Sequence, residues 1–246
     1  MNKSKILWTK ASWNPMTGCS KASAGCDNCY AENMARRLKA MGKKEYSNGF
    51  TPTCHPQRLN EPLTWKEPTL VFVCSMGDLF HPQIPDEFIE KVIETIEKTP
   101  QHTYQILTKR PSRMAQFFTT HAIPDNAWLG TSVENVAVLH RIETLKTIDT
   151  PRRFLSMEPL IGDLGNIEDV LQDIGWVIVG GESGNRAREM KEAWVLDLKN
   201  QCDQLGIPFF FKQWGAWKDG KKKSAKANGH LLQGKEVQNY PKGMKP

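Results

Sequence analysis

The chain has 246 residues, 39% of them hydrophobic and 24% charged, enough for a packed core and within the range of a single α/β barrel. No apolar run approaches about 18 residues, which excludes a membrane-spanning helix. The net charge of +6 is carried by the C-terminal end: Gly215 to Pro246 hold eight lysines and two acids, and the rest of the chain balances to zero.

The start, "MNKSKILWTKASWN", carries neither an apolar h-region nor a cleavage site, so a reducing, cytoplasmic location is expected. There, clustered cysteines are more often metal ligands than disulfides. A short first strand is expected near "ASWNP". It runs into "GCSKASAGCDNCYAE", where Cys19, Cys26 and Cys29 are spaced C-x6-C-x2-C. Three thiolates underfill a structural zinc site, which takes four ligands; Cys54 and His55 are the nearest residues that complete one. A 4Fe–4S cluster suits the loop better, because three irons take the cysteines and the fourth stays open for substrate or cofactor. Unrelated reduced cysteines are the third reading. Gly18 and Gly25 each precede a cysteine, where glycine lets the backbone turn sharply and brings amide N–H groups near sulfur. The helix expected over "YAENMARRLKAMG" would turn its N-terminal dipole toward an anionic cluster.

Residues 43–65 are irregular, broken by three prolines and an Asn-Gly. Beyond them a rhythm sets in. Short apolar runs at 69–75, 103–108, 127–132, 152–157, 176–181 and 207–214 alternate with helical patterns at 85–98, 133–148 and 192–206. Near-continuous apolar strands separated by helices predict a parallel sheet covered by helices. The fold class expected is α/β, a partial β/α barrel of six to seven units with a basic C-terminal appendage; a doubly wound open sheet is the alternative. Residues 1–217 are assigned to the barrel and 218–246 to the Lys-rich appendage. Cys74 and Cys202 fall inside a strand and a helix and read as buried small hydrophobes. The appendage reads as a solvated segment or as a phosphate-contacting surface for nucleic acid.

A polar signature follows each strand: "SMGD", "TKRP", "TSVEN", "SMEP", "GGESGN" and "KQWG". In a β/α barrel these positions share the C-terminal rim, where such enzymes do chemistry. Helix capping alone accounts for Ser, Thr, Asn and Asp there, but less well for the added Glu, Lys and Arg.

The three-cysteine loop ahead of a β/α barrel resembles the radical S-adenosylmethionine (SAM) superfamily. More closely, "WTKASWNPMTGCSKASAGCDNCYAE", "FVCSMGDLFH", "LTKRP", "GTSVEN", "RFLSMEPL", "VIVGGESG" and "FFFKQWG" resemble the phage-associated three-Cys-motif family of radical-SAM-like proteins. The resemblance spans about residues 6–217. Most radical SAM enzymes separate the first two cysteines by three residues, where this chain has six.

The resemblance implies a radical-SAM-like TIM barrel and a 4Fe–4S enzyme with Cys19, Cys26 and Cys29 as cluster ligands. SAM at the open iron would yield a 5′-deoxyadenosyl radical that modifies or repairs a nucleic acid or nucleotide. Gly77 and Asp78 match the motif that holds the SAM amino group. Ser132, Glu134 and Ser156 are candidates for cofactor binding, and Lys109, Glu158 and Glu182 for catalysis. Arg110 is placed with Lys109 against a carboxylate or phosphate, and Lys212, Gln213 and Trp214 on the opposite wall. Implied partners are nucleic acid through the Lys-rich tail, an electron donor such as flavodoxin or ferredoxin, and a protein encoded alongside; no membrane is involved. The alternative is a non-catalytic nucleic-acid- or protein-binding module with a structural zinc or Fe–S site.

Overall fold

The computed structural model describes residues 4–244. Seven principal strands alternate with helices: β1 (Ala11–Trp13), α1 (Tyr30–Ala40), β2 (Leu70–Val73), α2 (Asp86–Glu97), β3 (Thr103–Thr108), α3 (Pro111–Phe117), β4 (Ala127–Ser132), α4 (His140–Lys146), β5 (Arg153–Met157), α5 (Glu168–Leu171), β6 (Trp176–Gly180), α6 (Glu192–Gln204) and β7 (Phe209–Gln213). The hydrogen-bonded order of the sheet follows the sequence from β1 to β7 without reversal. A doubly wound sheet reverses its order at a switch point, so the stepwise order selects the barrel-type succession over that alternative. No helix among the described residues is long and apolar enough to cross a membrane.

The chain divides into two compact units. Residues 4–22, 29–130 and 244 form the first; residues 23–28 and 131–243 form the second. In the first, β1 pairs parallel with β2 and β2 with β3, in registers Ala11↔Val71 and Leu70↔Thr103. Every residue of β2 is buried, as expected of a parallel strand covered on both faces. One face of α2 buries Phe88, Ile89, Val92, Ile93 and Ile96 at helical spacing. Large aromatics fill the unit: Trp8 lies 4.6 Å from Phe72, and Trp13 meets Tyr104 edge-on at 6.0 Å. The Trp13 indole N–H donates to the Arg58 carbonyl at 2.8 Å and ties the irregular segment after α1 to β1.

In the second unit β5, β6 and β7 pair parallel, with a register shift on β6 between Val179 and Gly180. Trp176 sits between Phe154 and Phe210, 6.1 and 6.0 Å away. The Lys-rich C-terminal segment packs on this unit. A hairpin joins Leu231–Leu232 to Lys235–Glu236. The strand-like run after it lies antiparallel along β7: the Phe211 N–H donates to the Val237 carbonyl at 2.7 Å and the Asn239 N–H to the Phe209 carbonyl at 3.1 Å. The Trp176 indole N–H closes on the Asn239 carbonyl at 2.9 Å.

Candidate functional site

The cysteine loop leaves and re-enters the first unit. Cys19 and Cys29 belong to that unit, while Ser23–Asn28, with Cys26, belongs to the second.

In the first unit, backbone contacts seat Cys19. The Gly18 N–H donates to the Met76 carbonyl at 2.9 Å and the Cys19 N–H to the Phe50 carbonyl at 3.0 Å. Gly77, expected to bind SAM, faces Gly18 across a parallel bridge. A Cβ at Gly77 would stand 2.6 Å from the Met16 sulfur and 2.8 Å from the Gly18 carbonyl oxygen, so the glycine is required by this close approach. Asp78 is buried and its carboxylate is occupied. Oδ1 accepts from the Thr108 hydroxyl at 2.7 Å and the Phe80 N–H at 3.0 Å; Oδ2 accepts from the Lys109 N–H at 3.1 Å and Arg110 Nη1 at 3.4 Å. Asp78 thereby organises the end of β3, where Lys109 and Arg110 sit.

Arg110 carries that order to the cysteine. Its Nη1 donates to Cys19 Sγ at 3.8 Å and its Nη2 to the Ser20 carbonyl and hydroxyl at 3.0 and 3.1 Å. The Ser20 hydroxyl lies 2.8 Å from His81 Nε2, and His81 Nδ1 accepts from the Gln83 N–H at 3.2 Å. That acceptor role leaves the ring proton on Nε2, directed at Ser20. Burial, then the neighbouring Arg110, lowers the His81 pKa, consistent with a neutral ring. Cys29 precedes the first residue of α1 and packs, half-buried, with Ala31, Ala35, Tyr46 and Met76. The Tyr30 hydroxyl donates to the Ser75 carbonyl.

In the second unit, buried carboxylates hold the Cys26 segment. The Ser23 hydroxyl donates to Glu134 Oε1 at 2.7 Å, while Arg141 Nη1 donates to Glu134 Oε2 at 3.1 Å and to the Ser132 carbonyl at 2.9 Å. Glu134 is fully buried, and a Cβ at Gly25 would lie 2.4 Å from its Cγ and Oε1. Glu182 accepts from the Arg188 N–H at 2.8 Å, Arg188 Nη2 at 2.6 Å and Asn28 Nδ2 at 3.1 Å. Burial works to raise the Glu182 pKa; the Arg188 and Asn28 hydrogen bonds outweigh it and hold the carboxyl below its ordinary value. Arg188 Nη2 also donates to the Ala24 carbonyl at 2.9 Å, and its Nη1 stands 3.7 Å from the Asp27 carboxylate.

Glu158 and Lys212 form a separate ion pair of 2.5 Å, partly exposed, beside Gly180. Ser156 is buried, and its carbonyl accepts the Val133 N–H at 3.1 Å. Ser132 is buried as well. Ser132, Glu134, Ser156, Glu158, Glu182 and Lys212 all belong to the second unit; Gly77, Asp78, Lys109 and Arg110 belong to the first. Ser20, Ser23, Asn28, His81, Arg141 and Arg188 were not among the expected site residues. His81 and Arg188 lie in "DLFHP" and "GNRAREM", where no periodicity or spacing marks a partner.

The remaining cysteines separate by environment. Cys74 and Cys202 are buried, with thiol pKa values pushed up by burial, to about 12 for Cys202. Cys19, Cys26 and Cys29 are partly exposed and free of disulfides. Among the described residues no group of three or more His, Cys, Asp or Glu side chains is gathered as a metal site. His55 Nε2 lies 2.8 Å from the Thr17 hydroxyl oxygen. Cys19, Cys26 and Cys29 lie on one loop with partly exposed thiols, the donor type that an iron–sulfur cluster takes.

The chain belongs to a family described as "Protein of unknown function (DUF5131)", whose model matches residues 3–241. No curated protein matches it. Among solved structures it is similar to a spore photoproduct lyase with a cysteine-to-serine substitution: 12% identity, 82% of this chain and 63% of that chain covered, TM-score 0.52. A variant of the same lyase with bound AdoMet and dinucleoside spore photoproduct gives 10% identity, 78% and 61% coverage, and a TM-score of 0.47. The chain thus spans less than two thirds of those lyase chains. The first likeness shows the fold alone, a partial β/α barrel.

Proposed function

We propose that the chain is a 4Fe–4S enzyme of the radical SAM type, with Cys19, Cys26 and Cys29 as the cluster ligands. The observation that carries this reading is the donor set: these three thiols are accessible on one loop, while Cys74 and Cys202 are sequestered in the core. The fold and the motif resemblance to phage-associated three-Cys proteins support it. Held by these three thiolates, a reduced cluster would supply one electron for reductive cleavage of SAM to methionine and a 5′-deoxyadenosyl radical, which would take hydrogen from the substrate.

The chain's own residues have defined parts in this reading. Arg110 offers a charge-assisted donor to Cys19 and is aimed by Asp78. Gly77 lets the backbone after β2 approach the loop closely enough for SAM to be held there by main-chain groups. Lys109, at the end of β3, is assigned to a carboxylate or phosphate. Glu158 and Lys212 form a polar pair at strand ends, placed to exchange partners with a substrate. Nucleic acid or a nucleotide is the substrate class proposed, because exposed Lys221, Lys222 and Lys223 lie together on the second unit. A flavodoxin or ferredoxin is the proposed electron donor, and the cytoplasm the proposed location.

Anaerobically purified protein is expected to be brown, with broad absorption near about 400 nm and roughly four irons per chain. Reduced protein with SAM should release 5′-deoxyadenosine, and Cys26→Ala should abolish it. Colourless protein holding about one zinc per chain would instead support a structural zinc module.

A further inference from the structure

The segment between the first two cysteines looks slack in the sequence, yet its far end is held. Ser23–Asn28 contains one 3-10 turn, Ala24–Cys26, with Cys26 N–H to Ser23 carbonyl and Asp27 N–H to Ala24 carbonyl bonds at 2.9 and 3.2 Å. A single turn does not by itself offset the entropy of ordering six residues. Two carboxylates add to its order. Glu134 takes the leading end, bonded to the Ser23 hydroxyl and packed on Gly25. Glu182 takes the trailing end, bonded to Asn28 and acting through Arg188 on the Ala24 carbonyl and Asp27.

We infer that Glu134 and Glu182 are positioning residues that brace Cys26 for its ligand, and do not themselves touch cofactor or substrate; the ligand rests on the cluster reading above. Two features carry this. Their oxygens are already committed: Glu134 to Ser23 and Arg141, Glu182 to Asn28 and Arg188. Each carboxylate also brings its own arginine, so the brace adds no uncompensated negative charge beside a segment that is to carry an anionic thiolate. The longer gap thereby includes Ser23, which bonds Glu134, and the glycine at position 25 is required by contact with the Glu134 carboxylate.

The test uses Arg188→Ala, since Arg188 is a third exposed, with Arg188→Lys as the conservative variant and Ser23→Ala at the other end. In metal-free protein, Arg188→Ala should lower the melting temperature, because the buried Glu182 loses its arginine, and under conditions where the protein stays folded it should speed amide hydrogen exchange at Cys26 and Asp27 about tenfold while exchange in β2 and β6 rises less. Cys26 should alkylate faster, Cys19 and Cys29 at their former rates. Arg188→Lys should recover part of the protection, and Ser23→Ala should show a smaller version of the same local loss. After anaerobic iron and sulfide reconstitution, Arg188→Ala should hold fewer irons per chain than the parent. Unchanged exchange at 23–28, or exchange and alkylation rising equally across the whole chain, would overturn the inference. A parent protein that takes up no iron would remove the cluster reading alone; the exchange and alkylation data would still decide whether the segment is braced.

Discussion

Cys19 and Cys26 stand seven positions apart and are held by different physics. Cys19 is fixed by main chain: amides of Gly18 and Cys19 on carbonyls of Met76 and Phe50, with Gly77 giving room. Cys26 is fixed by side chains, through buried carboxylates that each carry an arginine. A backbone seat tolerates loss of a neighbouring side chain but not an added Cβ. A side-chain brace tolerates neither the loss of a partner nor a change in its charge.

The sharpest way to break this contrast is Glu134→Ala. It strips the partner from Arg141, which is 4% exposed, and should cost about 3–5 kcal/mol in urea unfolding. A cost under about 1 kcal/mol would show that the ion pair is not what holds the segment. Next is Gly77→Ala, where the new Cβ meets the Gly18 carbonyl; a loss of about 1–3 kcal/mol is expected, with faster exchange of the Cys19 amide. Arg110→Ala should cost about 0.5–1.5 kcal/mol and leave the Cys19 amide protected, because the backbone seat does not depend on it. Loss of that protection would merge the two modes of attachment. The smallest effect is a pH dependence. The Arg188 and Asn28 hydrogen bonds hold the Glu182 carboxyl below its ordinary range, so its contribution is complete above that range and is lost as pH falls through the folded value. The protection of amides 23–28, taken relative to the intrinsic exchange rate at each pH, should therefore stay flat from neutral pH down to about 5 and fall only in stronger acid, and Glu182→Gln should remove that fall.

The strands were legible because fully covered parallel strands read as apolar runs bounded by polar turns; 103–108 and 127–132 carry the same limits in sequence and structure. The helix expected over 133–148 is shorter, Val136–Val138 as a 3-10 turn and then α4, because Val133 and Glu134 are spent on the ends of neighbouring strands and on Ser23. The rim positions were legible as polar residues after strands; their partners were not. Glu134 and Arg141 are seven residues apart, but Ser23 is 111 from Glu134 and Asn28 is 154 from Glu182, separations over which no local pattern operates. The packing of 237–239 on β7 was equally hidden, since lysines dominate the composition of this end and main-chain bonds, which carry no side-chain signature, pair the two runs.

That contact has a further consequence. In the sheet order β7 is terminal, and its outer row of amides and carbonyls is a template on which any extended chain can pair. Residues 237–239 occupy that template, over Phe209, Phe210 and Phe211, the most aromatic stretch of the protein. The lysine-bearing end therefore acts as a permanent guard against self-association. A protein cut before Gly234 should lose solubility before it loses any chemistry at the cysteines.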